Sequence, residues 1–209
     1  MLRSSRWARA VALAVPGLLL AGFGMTHPAG LHAGNAHWWA LLHVLLLPVL
    51  PLLGVAQWVL LAPAPGPLRW LSRLAAYGYA TFYTGLDAVA GIAAGTVEEA
   101  SGGVSPLTAR LLMTGDVLGY VGAWCFLVGS VCVVGGVVRH LGWHGALGAA
   151  LLLLASVSFL DSHLFWPRGV FTMLAIGVGM LLLGFTDSLG TRPAGRPGSV
   201  GRSSPAESL

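Results

Sequence analysis

The sequence predicts an all-α membrane protein, a bundle of six transmembrane helices with both termini on the cytoplasmic side. Three observations carry the prediction. Of 209 residues, 56% are hydrophobic and 9% charged, with a mean hydropathy of +0.80. A soluble domain carries about 25% charged residues, so this chain lacks the polar surface to clothe a soluble globule. Apolar runs near the spanning length of about 20 residues recur along the chain between short polar or proline-rich breaks. Finally, the chain has eleven arginines and no lysine. When the runs are threaded alternately, nine arginines (3, 6, 9, 69, 73, 139, 192, 196, 202) fall on the side of the termini and two (110, 168) on the other, which the positive-inside rule reads as N-in and C-in.

The first helix, about 7–25, follows Arg3, Arg6 and Arg9. It is long enough to span and no A-x-A site follows it, so it is read as a retained helix and not a cleaved signal peptide. The second, about 38–61, begins at the interfacial pair Trp38 and Trp39, and Pro48 and Pro51 inside it each remove a backbone donor and predict a kink. The stretch 63–73 (PAPGPLRWLSR) reads as a stiff cytoplasmic loop. Helix 3 is expected at about 74–97, followed by an acidic, glycine-rich outer loop to Arg110. Helix 4 is expected at about 111–138, and His140 and His144 flank the turn after it as boundary residues. Helix 5 spans about 145–165 and helix 6 about 169–185. The tail 186–209 is too polar and too rich in Gly, Pro, Ser and Arg to offset its chain entropy by burial, and is expected to be disordered. Cys125 and Cys132 lie two helical turns apart, about 10.5 Å, too far for a disulfide, and read as small buried hydrophobes.

Chemistry concentrates in one stretch. His27, His32, His37 and His43 fall just before or inside the second apolar run, a density that neither a solvated loop nor a lipid-facing helix requires. His43 lies about 7 Å inside the membrane, Asp116 is similarly shallow, Asp161 and His163 end helix 5, and Asp87 lies about 14 Å down helix 3. All five fall in the outer half of the bundle, where an intramembrane carboxylate must face a partner or a wet cavity. They define an expected polar cup, with Asp87 as the candidate catalytic group and His43, Asp87, Asp116, Asp161 and His163 as candidate ligands of a divalent metal such as zinc, which accepts mixed imidazole and carboxylate sets. Tyr83, Thr84, Asp87, Gly91 and Gly95 share one helical face, and Gly91/Gly95 and Gly115/Gly119 form G-x-x-x-G pairs that let backbones approach. The alternative reading makes His27, His32 and His37 solvated loop residues, His43 and His163 interfacial side chains, and Asp87 a hydrogen-bonding pin between helices.

The runs HPAGLHAGNAHWWALLHVLLLPVLPLLG and YATFYTGLDAVAGIAAG resemble small six-helix membrane proteins of GC-rich bacteria, a likeness that implies the bacterial cytoplasmic membrane and brings no activity with it. The chain is more weakly similar to the zinc-dependent membrane hydrolases of the alkaline ceramidase type, which would imply a histidine- and aspartate-held zinc. Those have seven helices and a His-x-x-x-His pair on the last, whereas the sixth helix expected here has no histidine. Two function classes therefore stand open. One is a non-enzymatic membrane protein whose cup serves packing, partner binding or a small hydrophobic or lipid ligand; the other is a metal-dependent enzyme at the outer leaflet. The basic balance of +4 comes from loop arginines and implies no nucleic acid.

Overall fold

The structure is a computed structural model that describes residues 2–61, 66–103 and 105–190. Among these residues every regular element is helical. The order is α1 (Leu2–Gly24), α2 (Ala36–Leu46), α3 (Leu50–Leu60), α4 (Gly66–Leu86), a π-helical turn (Asp87–Ala93), α5 (Ala94–Ser101), α6 (Pro106–Leu141), a 3-10 turn (Gly142–Gly145), α7 (Ala146–Ser162) and α8 (Arg168–Gly190). Among the described residues five stretches are long and apolar enough to cross a membrane: Trp7–Gly24, Ala36–Leu60, Pro106–Val137, Trp143–Ser162 and Arg168–Thr186. The chain thus has the build of a multi-pass membrane protein. The continuous helical stretch 66–101 is also long, but it is interrupted by the π turn and carries Arg69, Arg73, Asp87, Glu98 and Glu99.

Several element boundaries differ from expectation, each for a local reason. Helix α4 begins at Gly66 and absorbs most of the expected loop 63–73, because Pro67 stands in its first turn, where a missing N–H costs nothing. At the other end the helix runs to Ser101 through the acidic pair, and Gly102 closes it with a left-handed φ of 67°. The expected outer loop therefore shrinks to a few residues before Pro106. The expected kink at the prolines is a break: α2 stops at Leu46, Leu47–Val49 form a turn, and Pro51 sits in the first turn of α3. Helix α7 ends at Ser162, and α8 continues past 185 to Gly190, while the remainder of the expected tail, 191–209, lies outside the described residues.

Helices α4 and α6 pack along each other, α1 lies along α8, and α7 completes a hairpin with α8. The approach of α6 to α4 and to the π turn is close because α6 turns glycine toward them: a Cβ on Gly115 would run into the Ala90 backbone and methyl in the π turn, and one on Gly119 into Leu86 of α4. The core is built from Leu42, Leu46, Leu50 and Leu53 of the broken span, Tyr79 and Tyr83 of α4, Phe126 of α6, Phe159 of α7, and Met173 and Ile176 of α8. In its middle Gln57 donates to the Phe126 carbonyl and to Ser130 Oγ, both at 3.0 Å, and Ser156 donates to Ser130 at 2.8 Å. This polar pin joins α3, α6 and α7 and partners the Gln57 amide nitrogen, while Gln57 Oε1 has no hydrogen-bond partner among the described residues.

Candidate metal centre

One end of the bundle gathers the loop 25–35, the start of α2, the π turn and the end of α7. The loop is held by its own polar groups: Asn35 donates to the Gly30 carbonyl at 2.8 Å and accepts from the His32 amide at 2.9 Å, while the Trp38 indole donates to the Thr26 carbonyl at 3.1 Å. That folding turns His27 inward, where Trp39 and Phe165 enclose it with ring centroids at 4.9 and 4.8 Å. His27 is only 6% exposed. Reading it as a solvated loop residue fails for this reason, whereas His32 and His37 remain exposed, the latter 3.1 Å from Glu99.

His27 and His43 meet through their Nε2 atoms at 3.4 Å. The His27 Nδ1 is 2.8 Å from the Pro28 carbonyl, and the His43 Nδ1 is 2.7 Å from the Trp39 carbonyl. A carbonyl oxygen only accepts, so each Nδ1 carries the ring proton and each neutral ring presents a bare Nε2 lone pair toward the other. His163 joins from the end of α7, its Nδ1 2.7 Å from the Tyr83 hydroxyl. One ring nitrogen from each of the three histidines lies within 4.8 Å of the others, so the three are able to hold a metal ion. His163 is held there with φ at 31°, a conformation that non-glycine residues seldom adopt and that concentrates at functional sites.

Asp87 opens the π turn, an irregularity that itself clusters at functional sites. The turn presents the Ala90 carbonyl to the Trp39 indole at 3.0 Å, tying α2 to this helix. Asp87 is fully buried, with Oδ1 3.9 Å from His43 Nε2, and neither carboxylate oxygen has a hydrogen-bond partner among the described residues. Leaving a buried carboxylate unpaired is expensive, and the His43 ring, 3.9 Å away, is an ionisable group that the structure places beside it. Gly91, one turn on, makes room for the His43 ring, whose carbons and Cβ would collide with any side chain there.

The remaining candidates lie farther out. Asp161 is exposed and forms a bidentate pair with Arg168, at 2.6 and 3.2 Å. Asp116 is exposed on α6. Both line a cavity of about 540 Å³ whose inner wall is Trp39, His43, Tyr83 and His163. The structure thus brings His43, Asp87 and His163 together, adds His27, and leaves Asp116 and Asp161 on the cavity wall outside the cluster. The His140/His144 turn lies at the opposite end of α6 and contributes nothing to it.

The site is tuned for neutral imidazole. Burial holds His27 below the ordinary value of 6.5, although its bond to Pro28 works the other way. His163 is held well below that value, by burial first and then by the neighbouring His27 and His43. Neutral rings are the metal-binding form, and an Nδ1–H anchored on a carbonyl is the usual outer support of a ligating imidazole. With metal–nitrogen bonds of about 2.0–2.1 Å, the edge of a tetrahedral zinc site is about 3.3–3.4 Å; the His27–His43 separation matches that edge, and all three ligand atoms lie within 4.8 Å of one another. No protein-family model matches this chain, and no curated protein or solved structure matches it either.

Proposed function

We propose that this chain is a multi-pass membrane metalloenzyme, a zinc-type hydrolase whose centre is formed by His27, His43 and His163, with Asp87 beside it. One observation carries the reading: the Nε2 lone pairs of His27 and His43 face each other at 3.4 Å while both Nδ1 protons are committed elsewhere. Two bare lone pairs so placed repel unless a cation lies between them. A proton shared between them would place a charge in a buried site. Three histidines would be the protein ligand set of a catalytic and not of a structural zinc, and two of them, His43 and His163, line the cavity.

In this reading the ion supplies Lewis acidity and an activated water. Asp87, close to His43 and otherwise unpartnered, takes the water proton as general base. The Tyr83 hydroxyl fixes the His163 ring and stands on the cavity wall, where it can donate to a developing oxyanion. Trp39 and Phe165 close the far side and exclude solvent. The stretch 66–101 makes the sixth crossing, and both termini face the cytoplasm of a bacterial cell, in keeping with the nine-to-two arginine division. The site then faces the outer leaflet.

The test is hydrolysis of 4-nitrophenyl laurate by detergent-purified protein. Turnover is expected to vanish with a chelator, return with zinc, and be lost in Asp87→Asn while zinc stays bound. Stoichiometric zinc without chelator-sensitive turnover would refute the catalytic reading and leave a binding site.

A further inference from the structure

Resting on the reading above, we propose that the cavity admits a long-chain amphiphile with a cationic, ammonium-type head, and that Asp116 and Tyr120 at its mouth recognise that head. The cavity, at about 540 Å³, is of the size that encloses a small organic ligand. Its walls are largely apolar, with Leu86, Leu112, Phe159 and Phe165 beside the histidines. Its exposed lining residues are Asp116 and Tyr120 on α6, Asp161 at the end of α7, and Ala29 and Gly30 of the loop 25–35.

Charge decides the class of head. The cavity is lined by two aspartates and by no arginine. Arg168, beside the mouth, is already held by Asp161 in a bidentate pair. Asp116 has no ion-pair or hydrogen-bond partner among the described residues. A phosphate or carboxylate head would meet an uncompensated negative charge, and phosphate recognition ordinarily requires an arginine fork or a lysine. An ammonium head meets Asp116 directly. Tyr120 stands one turn further on the same face of α6, and a carboxylate beside an aromatic face is the pairing that holds quaternary ammonium through cation–π attraction. With the head at the mouth, the apolar chain follows the leucine and phenylalanine wall toward the histidines.

The experiment measures binding of dodecyltrimethylammonium, dodecanol and dodecyl phosphate to zinc-loaded protein in a nonionic detergent, by melting shift, with zinc content determined on the same samples. The quaternary head cannot ligate a metal, so its binding reports the mouth and not the ion. Dodecyltrimethylammonium is expected to bind at least about tenfold more tightly than the other two, a preference of about 1.4 kcal/mol. Asp116→Asn should remove that preference with zinc content unchanged. Equal or tighter binding of dodecyl phosphate, no binding of any of the three to zinc-loaded protein, or an unaltered preference in Asp116→Asn would overturn the inference and leave the metal reading standing. Protein that takes up no zinc would overturn the metal reading itself.

Discussion

Replacing Gly91 by alanine is expected to dismantle the metal site while leaving the bundle folded. Gly91 lies in the π turn directly under His43, and an added methyl would fall 2.6 Å from the His43 Cβ and closer still to two ring carbons. Ordinary contact begins at 3.4 Å, so the ring must retreat by about an ångström, whereas metal–ligand distances tolerate only about 0.2 Å. The clash lies between a side chain and a helix turn, and overpacking of this kind costs about 1–3 kcal/mol, which a bundle of this size survives. Loss of outer support around a ligating residue alone weakens metal binding by about 10–100-fold, and displacement of the ligand should meet or exceed that. The assay is a competition titration of zinc against a chromophoric chelator, with melting followed in the same detergent. Gly22→Ala on α1, where nothing lies within 4 Å of the new methyl, serves as control and should match or slightly exceed wild-type stability, since alanine favours the helix by up to about 1 kcal/mol. Wild-type zinc affinity in Gly91→Ala would refute the placement of His43 as a ligand.

Further outcomes follow from the same geometry. His27 and His163 are both held below 6.5 when folded, so the unfolded chain binds more protons below that pH. Metal-free protein should keep full stability above about pH 6.5 and lose up to about 1.4 kcal/mol per pH unit for each ring as pH falls; a melting series from pH 8 to 5 checks this, and His27→Asn should flatten the slope. Gln57→Leu removes the bonds to Phe126 and Ser130 and should cost about 1–3 kcal/mol without changing zinc affinity, because Gln57 lies about 20 Å along the broken α2–α3 span from His43. Reporter fusions at Gly198 and Gly102 should read cytoplasmic and external respectively, and the reverse pair would overturn the orientation.

Much of this architecture is legible in the residues, since long apolar runs admit little but helices when backbone groups must be satisfied internally. The π turn is not, because DAVAGIA reads equally well as α-helix and only packing against Trp39 and His43 selects the wider turn. His43, Asp87 and His163 stand out in the sequence because ionisable groups are costly in apolar segments. His27 does not, for it lies in a stretch whose composition suits a solvated loop. The available signal is its position just past the end of helix 1, level with the start of helix 2, in a loop bounded by asparagine and glycine. Asp116 and Asp161 show the limit of reasoning from depth. Height along a helix places them near the cup, but facing is set by which side of α6 packs on α4, and the glycines at 115 and 119 turn that side inward while Asp116 faces the cavity mouth.

The central claim is that His27, His43 and His163 hold a metal ion, and the zinc content of the purified protein tests it most directly. Wild-type protein prepared without chelator should carry about one zinc per chain, the stoichiometry of a single tetrahedral centre. The His27→Gln/His43→Gln double variant should carry almost none while keeping its helical circular dichroism. Wild-type protein that remains metal-free after zinc supplementation, or a double variant that retains the wild-type content, would contradict the account.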